Sequence, residues 1–510
     1  MSCTYPVTAP RWGVFEVTCP GKSDGNPFVD YTITASFTGK EGTVTVDGFY
    51  DGNGVYKARF MPSYEGTYTF TVSGSFSDET FTGSFTATAP EQGNHGPVRV
   101  NGCHFTYEDG TPYFSVGTTA YVWPLQGEEL VNKTLEELSK GYFNKIRFCV
   151  FPKHYIYNLH EPTSYPYEGT PCPSPTNISY NNPAALFGVH EGNNWDFYRF
   201  NPAHFAQIEK CIKAVGDLGV EADLIMMHPY DRWGFSHMAP DQDDLYWKYC
   251  VARFAAYHNV WWSLANEYDL LRDKKISDWE RYALILLEKD PYRHLRGIHH
   301  CMTPYDHNRP WITHVSYQRI DLYKCAEEVD QYRQKWQKPV VLDEIAYEGN
   351  IESGWGNISG EEMVRRFWEC SLRGGYAGHG ETYDVPEANG KLWWSHGGPL
   401  RGESPARIRF LHQILCETPG AGLKFQPLSW DDTCGVPEET RGPARYMLDY
   451  YGFGRPNKRT FNLPAGIKYK VQVIDTWDMT ITDAGVHEGF FTIPLPSKQW
   501  MAIRLIAVDE

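Results

Sequence analysis

The chain contains 510 residues with a formal net charge of −16, and 41% of its residues are hydrophobic and 15% aromatic. The length allows two to four domains, one of which could be a barrel of about 250 residues. The acidic balance argues against a nucleic-acid partner, because such partners are bound mainly through Lys and Arg, and the lack of any run of about 18 apolar residues predicts no membrane span.

Cysteine usage and the amino terminus both bear on location. Twelve cysteines are scattered without CxxC pairs or regular spacing, a pattern typical of buried free thiols rather than of a zinc site or a disulfide framework. The amino terminus lacks the basic and apolar segments of a secretory signal. We therefore predict a cytoplasmic protein, and the sequence is compatible with a homo-oligomer.

Strand-like alternation of polar and apolar residues fills the first 95 residues. Clear examples are 31–37 and 67–72, with Gly, Asp, Asn and Pro between the runs. This pattern predicts a β-sandwich over residues 1–95. The polar, Pro- and Gly-containing segment 89–97 is typical of a linker.

A different rhythm begins near residue 112, where short apolar runs alternate with longer amphipathic stretches. Eight runs predict strands, at 113–116, 145–150, 221–227, 260–265, 295–299, 311–315, 339–342 and 375–379. Helices are predicted at 135–142, 204–218, 245–257, 279–287, 322–336, 361–372 and 405–416. The connection between the fifth and sixth runs lacks a clear helix. Eight such units predict a (β/α)8 TIM barrel over residues 96–420.

The whole chain is therefore predicted to be an α/β protein in which the TIM barrel lies between two β domains. Alternation returns after residue 420, as in 469–475 and 489–493, and predicts a small C-terminal β-sandwich at 421–510. An open doubly wound sheet that binds a dinucleotide is disfavoured, because the sequence contains no GxGxxG motif or P-loop.

Carboxylates end two of the predicted strands. Asn266 and Glu267 follow the fourth run, and Glu344 follows the seventh. Barrel enzymes carry their reactive groups at the C-terminal ends of the strands, where the loops surround one pocket. Two carboxylates across a pocket are what retaining glycoside hydrolysis requires, one as nucleophile and one as acid and base. We therefore predict that Glu267 and Glu344 are catalytic, and that Asn266 binds a hydroxyl of the sugar.

The same strand ends carry a family resemblance. Asn-Glu after strand four and Glu after strand seven resemble the retaining (β/α)8 glycoside hydrolases of the cellulase and β-galactosidase clan. Within that clan, YFSVGTTAYVW at 113–123, FNKIRF at 143–148 and MHPYD at 227–231 resemble the apiosidase-like barrel domain. GVYKARFMP at 54–62 resembles the DUF5060-type β-sandwich that often precedes this barrel, and the C-terminal part fits a DUF5605-type β domain.

The resemblance implies roles for several residues. Glu267 would be the acid/base and Glu344 the nucleophile. Arg147 at the end of strand two and Tyr317 near strand six would keep the nucleophile ionised and oriented. A nearby cation lowers the pKa of a carboxylate, although Arg147 could instead form a structural ion pair. Asp343 is a competing nucleophile, but it points to the opposite side of the strand from Glu344, and the resemblance favours Glu344.

Six further residues are candidates for binding substrate, each of which packing alone could also explain: His228, Asp231, Trp233, His379, Trp393 and Trp394. Related barrels often have a Trp platform at the end of strand eight, where this chain has Tyr376 to Thr382 and reaches Trp393 only later. The histidines at the predicted strand ends show no HExxH-like spacing, so no metal is predicted. No organic cofactor is implied.

The segment 152–200 is too long for an ordinary connection and would lie over the pocket. A long cover predicts a closed, exo-acting site. The sequence thus predicts a retaining glycoside hydrolase that removes terminal sugars from an oligosaccharide or glycoside. The alternatives are a non-catalytic carbohydrate-binding barrel, a transglycosylase and an inverting glycosidase on the same fold.

Overall fold

The computed structural model describes residues 2–321 and 324–508, and a parallel barrel forms its centre. Neighbouring strands pair in parallel around the barrel. In chain order the strands are Val116–Thr119, Lys145–Cys149, Glu221–Ile225, Val260–Ser263, Arg296–Gly297, His299–His300, Val315–Gln318, Val340–Glu344 and Tyr376–His379. The two short strands on either side of Ile298 occupy the fifth position, so the barrel is closed except at that residue. The predicted fold class is confirmed.

Two predicted strands were displaced. Residues 113–116 were predicted as the first strand, but Pro112–Tyr113 pairs antiparallel with His104–Tyr107 below the barrel, and the barrel strand is Val116–Thr119. The sixth strand is Val315–Gln318 rather than 311–315. In both cases the strand in the structure contains hydroxyl residues whose hydrogen bonds are formed inside the protein. It is therefore less apolar than the preceding segment, which was predicted instead.

Helices surround the barrel at Glu128–Leu138, Pro202–Asp217, Pro240–Phe254, Ile276–Lys289, Val329–Trp336, Gly360–Leu372 and Ser404–Cys416. The helix predicted at 135–142 in fact begins at Glu128. The helix predicted at 322–336 starts on Leu322, which lies outside the described residues, and the helix in the structure is Val329–Trp336. The connection 301–314 contains no helix, as predicted.

Two sheets form the N-terminal β-sandwich. One contains Thr8–Pro10, Thr34–Gly39, Gly42–Asp47, Gly66–Ser73 and Phe81–Thr88, and the other contains Phe15–Pro20, Phe49–Tyr50 and Val55–Phe60. Arg59 joins the sandwich to the barrel helices, because its guanidinium donates to the Arg253 carbonyl at 2.7 Å and to Glu209 at 3.1 Å. The sandwich therefore packs against the outside of the barrel.

The C-terminal β domain contains a six-stranded sheet and a two-stranded sheet. The strands are Leu423–Phe425, Thr433–Pro437, Tyr446–Tyr450, Lys468–Asp475, Thr480–Glu488 and Met501–Val508 in the first, and Lys458–Asn462 and Phe490–Pro494 in the second. Tyr450 stacks on Trp368 of a barrel helix with ring centroids 5.3 Å apart. The domain boundaries at residues 95 and 420 stay predictions.

One cysteine prediction was wrong. Cys3 and Cys19 form a disulfide, whereas we predicted free thiols. The pair lies at the start of the β-sandwich, where Thr4 and Thr18 exchange backbone hydrogen bonds of 2.8 and 2.9 Å and bring the two cysteines together. The other ten cysteines are free. Among the described helices, none is long and apolar enough to cross a membrane.

Candidate active site

Glu267 lies immediately beyond barrel strand four in a left-handed backbone conformation, with φ 50° and ψ 57°. This conformation is costly for a residue other than glycine and is found mostly at functional sites. The Glu267 side chain is 5% exposed. It accepts a short hydrogen bond from the Tyr230 hydroxyl and another of 3.0 Å from the Asn266 amide. The strand end thus holds a buried carboxyl group in one orientation.

Glu344 is the last residue of barrel strand seven and is 7% exposed. Its Oε1 accepts a hydrogen bond of 2.6 Å from the Tyr121 hydroxyl. The Arg147 Nη1 lies 3.4 Å from the same oxygen, within ion-pair distance. A hydroxyl donor and a guanidinium both stabilise the ionised form of a carboxylate.

The Asn266 amide links the two carboxyl groups. Its Oδ1 accepts from the Arg147 Nη1 at 2.8 Å and lies 3.3 Å from the Tyr121 hydroxyl oxygen, and its Nδ2 donates to Glu267. The structure therefore brings Asn266, Glu267, Glu344 and Arg147 together, as the sequence indicated. Asn266 thus binds Glu267 directly and is connected to Glu344 through Arg147 and Tyr121.

The two carboxyl groups differ in their electrostatic surroundings. Burial and the neighbouring charge of Glu344 raise the pKa of Glu267 to about 7. Glu344, in contrast, has the Arg147 cation beside it. Glu267 can therefore hold a proton near neutral pH beside a carboxyl group that has a cation partner, which is the arrangement that an acid and a nucleophile need.

His299 of barrel strand five holds the backbone of Glu267 and lies near Glu344. Its Nδ1 accepts the backbone N–H of Glu267 at 3.0 Å, so the proton of the neutral ring is on Nε2. Nε2 lies 3.9 Å from Oε1 of Glu344. Burial and the nearby Arg147 hold the pKa of His299 well below its usual range, so the ring is neutral.

Asp343, the competing nucleophile, lies in the barrel core beneath the site. The Lys145 ammonium donates to Asp343 at 2.7 Å and to Asp223 at 2.9 Å, and the Ser316 hydroxyl donates to the other Asp343 oxygen at 2.5 Å. Gly117 leaves room for Lys145, since a Cβ there would lie 3.1 Å from the Lys145 Cε. Asp343 is thus occupied by a core ion cluster, and Glu344 is the carboxylate at the strand end.

Removing the cation of that cluster should destabilise the fold. Because Lys145 is 1% exposed and lies between two buried carboxylates, we expect Lys145→Met to lower the free energy of unfolding by about 3–5 kcal/mol. Denaturant titration at pH 7 would measure this change. Asp343→Asn in the Lys145→Met background should recover part of the loss. A double variant no more stable than Lys145→Met alone would contradict the charge explanation.

Three predicted substrate-binding residues face other groups. Tyr317 lies against His300 and Tyr332, with ring centroids 5.7 and 4.9 Å away, and its hydroxyl has no hydrogen-bond partner among the described residues. The Trp393 indole donates to Thr118 at 2.9 Å, and the His379 Nδ1 contacts the same hydroxyl at 3.0 Å. The structure does not bring these residues to the carboxyl pair.

Two more predicted residues shape the loop after strand three. Asp231 accepts the backbone N–H groups of Trp233, Gly234 and Ser236 at 2.6 to 3.0 Å. The Trp233 ring packs against the Arg232 guanidinium, 4.6 Å from its centroid. Both residues therefore hold the loop, and neither has a contact with Glu267 or Glu344 among those described.

His228 and Trp394 border the site. Trp394 lies edge-on to Tyr121 with ring centroids 5.4 Å apart, and it also contacts Tyr347 at 6.2 Å. His228 is completely buried, and its Nδ1 accepts the backbone N–H of Tyr230 at 3.3 Å. Burial, and then the nearby Lys153, lower the pKa of His228 to about 3, so this ring is also neutral.

The long segment after strand two covers the pocket. Its Tyr155 contacts Tyr230 at 4.8 Å and Trp394 at 6.4 Å between ring centroids. Arg232 fastens the segment by donating to the carbonyls of Cys172 and Pro173 at 3.1 and 3.2 Å. The segment therefore packs over side chains that surround the carboxyl pair.

Three site residues, Tyr121, Tyr230 and Lys153, were not predicted from the sequence. Tyr121 and Tyr230 lie within two of the motifs that carried the family resemblance, after strands one and three. Lys153 follows strand two in the same way. The position of a residue shortly after a barrel strand could therefore have indicated a site residue. The sequence pattern alone did not show which of these side chains point into the pocket.

A cluster of three buried side chains, separate from Glu267 and Glu344, has the types of ligand atom that bind metal ions. The ligand atoms of Glu348, His379 and Glu381 lie within 4.8 Å of one another. Both carboxylates already accept backbone N–H groups, from Arg401 and Gly402 at 2.5 and 2.7 Å for Glu381 and from residues 403 and 404 at 2.8 and 3.1 Å for Glu348. These bonds fix the start of helix Ser404–Cys416.

Comparison with known proteins agrees with this architecture. Residues 100–388 match the apiosidase-like catalytic domain family, residues 8–75 match DUF5060 and residues 430–506 match DUF5605, the last two being domains of unknown function. A search of curated proteins found no match to the chain.

Solved structures extend the similarity to nearly the whole chain. A protein from Bacteroides vulgatus ATCC 8482, described as a candidate glycoside hydrolase, is 35% identical with a TM-score of 0.89, over 99% of this chain and 100% of that one. A second structure, described as a glycoside hydrolase, is 17% identical with a TM-score of 0.57, over 81% of this chain and 97% of that one. The chain belongs to the apiosidase-like catalytic domain family and is a glycoside hydrolase.

Proposed function

We propose that this glycoside hydrolase acts with retention of configuration and removes one terminal sugar from an oligosaccharide or glycoside. The observation that carries the proposal is the unequal environment of two carboxyl groups joined by the Asn266 amide. Burial raises the pKa of Glu267 to about 7, whereas Glu344 accepts from Tyr121 and has Arg147 at 3.4 Å.

In the first step, the Glu344 carboxylate attacks the anomeric carbon and forms a glycosyl-enzyme ester. The bond from that carbon to the leaving oxygen breaks, and Glu267 transfers its proton to the leaving oxygen. In the second step, ionised Glu267 takes a proton from water, and the water oxygen displaces Glu344 from the anomeric carbon. Two inversions leave the anomeric configuration unchanged.

The covering segment supports exo action. Tyr155 packs over Tyr230 and Trp394, directly beside the residues that bind the carboxyl groups. A polymer that continues on both sides of the scissile bond needs an open cleft, whereas a covered pocket accepts a chain end. The predicted substrate is therefore an oligosaccharide or a glycoside with a free non-reducing terminus.

The configuration of the first product tests the proposed mechanism. We expect proton NMR, recorded before mutarotation, to show a released sugar with the same anomeric configuration as the substrate. Analysis of products from an oligosaccharide should show monosaccharide from the first time points. Inverted product would contradict the retaining mechanism, and early release of internal fragments would contradict exo action. Transfer of the sugar to an acceptor instead of water would indicate a transglycosylase.

A cytoplasmic location and homo-oligomerisation also remain proposals. The ten free cysteines support a reducing compartment, whereas the Cys3–Cys19 disulfide argues for an oxidising one. Cell fractionation would test the location, and sedimentation velocity would test the assembly state.

A further inference from the structure

Lys153 is a buried cation that the proposed mechanism does not use. It follows strand two and is 4% exposed. Its ammonium lies 3.3 Å from the ring centroid of Tyr121, 4.4 Å from that of Tyr230 and 4.7 Å from that of Trp394. Three aromatic rings therefore surround one positive charge.

Two of these rings belong to the residues that bind the carboxyl pair. The Tyr121 hydroxyl donates to Glu344, and the Tyr230 hydroxyl donates to Glu267. The ammonium lies over the rings of both tyrosines, so it borders the space between the nucleophile and the acid. This is the space that the cleaved sugar would occupy in the proposed function.

Lys153 has no direct acidic partner among the described residues, and the charges of Glu344 and Glu267 act on it only from a distance. Within residues 2–321 and 324–508, no hydrogen bond joins its ammonium to another residue and no carboxylate lies within 4.0 Å of it. An ammonium has three donors and no acceptor, and contacts with aromatic rings compensate only part of the cost of burying a charge. Burial lowers the pKa of Lys153 to about 8, so the group is still mostly charged at pH 7.

The other cation of the pocket, Arg147, already has a carboxylate partner, because its Nη1 lies 3.4 Å from Oε1 of Glu344. Lys153 has no such direct partner among the described residues. Further donors in this wall, Nη2 of Arg147 and the indole N–H of Trp394, have no partner among the described residues. The pocket thus offers donors and one unpaired ammonium, which match a ligand that carries acceptors and one negative charge.

We propose that Lys153 binds a carboxylate on the sugar that is cleaved, so that the enzyme prefers uronic acid glycosides to their neutral counterparts. This inference rests on the proposed function. A carboxylate at C6 replaces a hydroxymethyl group of similar size, so it fits a covered pocket. It pairs with the ammonium through a charge-assisted hydrogen bond, and the aromatic rings hold the ammonium in place.

The experiment compares matched substrates that differ only at C6. Both anomers of 4-nitrophenyl glucuronide and galacturonide are assayed against both anomers of the glucoside and galactoside. The enzymes are the wild type, Lys153→Met, Lys153→Arg and the control Lys210→Met, which removes an exposed lysine and so changes the net charge equally. Thermal unfolding of each variant identifies any loss of fold.

We expect at least one acidic glycoside to be cleaved with a kcat/KM about tenfold or more above that of its neutral partner. Lys153→Met should lose about 100-fold on that substrate, with a much smaller loss on any neutral glycoside. Lys153→Arg should keep most of the preference, and Lys210→Met should behave as the wild type.

Three results would overturn the inference: failure to cleave any acidic member, a preference for the neutral partner, or an equal loss on both substrate types in a folded Lys153→Met protein. These results differ from failure of the proposed function. If neutral glycosides are cleaved with retention of configuration, and the cleavage depends on Glu344, the retaining mechanism is supported and only the preference for uronic acids is contradicted.

Discussion

Glu344→Ala is expected to lower kcat by at least about 10⁴-fold, since removal of a nucleophile typically has an effect of this size. The structure explains the magnitude, because Tyr121 and Arg147 both orient this carboxylate. The truncated side chain leaves space beside the anomeric carbon. Azide added to the variant should occupy that space and restore turnover, giving a glycosyl azide of inverted configuration.

The control for this experiment is Glu352→Ala, which removes an exposed carboxylate from the loop after the same strand and should leave kcat unchanged. A Glu344→Ala protein that is folded and keeps near wild-type kcat would contradict the assignment. Rescue by azide with retained configuration would also contradict it, because that product requires the nucleophile to be intact.

Glu267→Gln is expected to lower kcat/KM by about 10² to 10⁴-fold on substrates with poor leaving groups. The loss should be much smaller on 4-nitrophenyl glycosides, since nitrophenolate departs without a proton. Because burial and Glu344 raise the pKa of Glu267 to about 7, wild-type kcat/KM on poor leaving groups should fall as the pH rises above about 7. An equal loss on both types of leaving group would show that Glu267 is not the acid.

Glu267→Gln should also change the free energy of unfolding, by an amount that depends on pH. Glu267 binds its proton more tightly in the folded state than in the unfolded state, where its pKa has the usual value of 4.5. The wild type therefore loses stability as the pH rises from about 4.5 to 7. We therefore expect Glu267→Gln to be more stable than the wild type by about 1–3 kcal/mol at pH 8, and similar to it at pH 4. Denaturant titrations at both values measure the difference.

The order of strands and helices could be predicted because each barrel strand except two lies within or overlaps most of one of the short apolar runs that alternate with amphipathic stretches. The exceptions were the first and sixth strands. In the first, Thr118 contacts His379 and Trp393, and in the sixth, Ser316 donates to Asp343. These hydroxyl groups find their hydrogen-bond partners only in the folded barrel. A prediction based on hydrophobicity alone therefore put both strands a few residues before their true positions.

The carboxyl pair could be predicted because both residues directly end a strand. The orientation of neighbouring side chains could not. The Tyr317 ring lies against His300 and Tyr332 and not beside the carboxyl pair. Tyr121 supplies the hydroxyl that contacts Glu344 instead, and its loop turns inward only because residues 121 and 122 pair with the backbone of Trp394 and Ser395.

Covalent trapping of the wild type would identify the nucleophile directly. A 2-deoxy-2-fluoro sugar with an activated leaving group, matched to the preferred glycoside, slows release of the glycosyl-enzyme. Mass spectrometry of peptides should then locate one added sugar on Glu344. A label on Asp343 or Glu267, or continued hydrolysis of that glycoside with no labelled peptide, would contradict the proposed nucleophile.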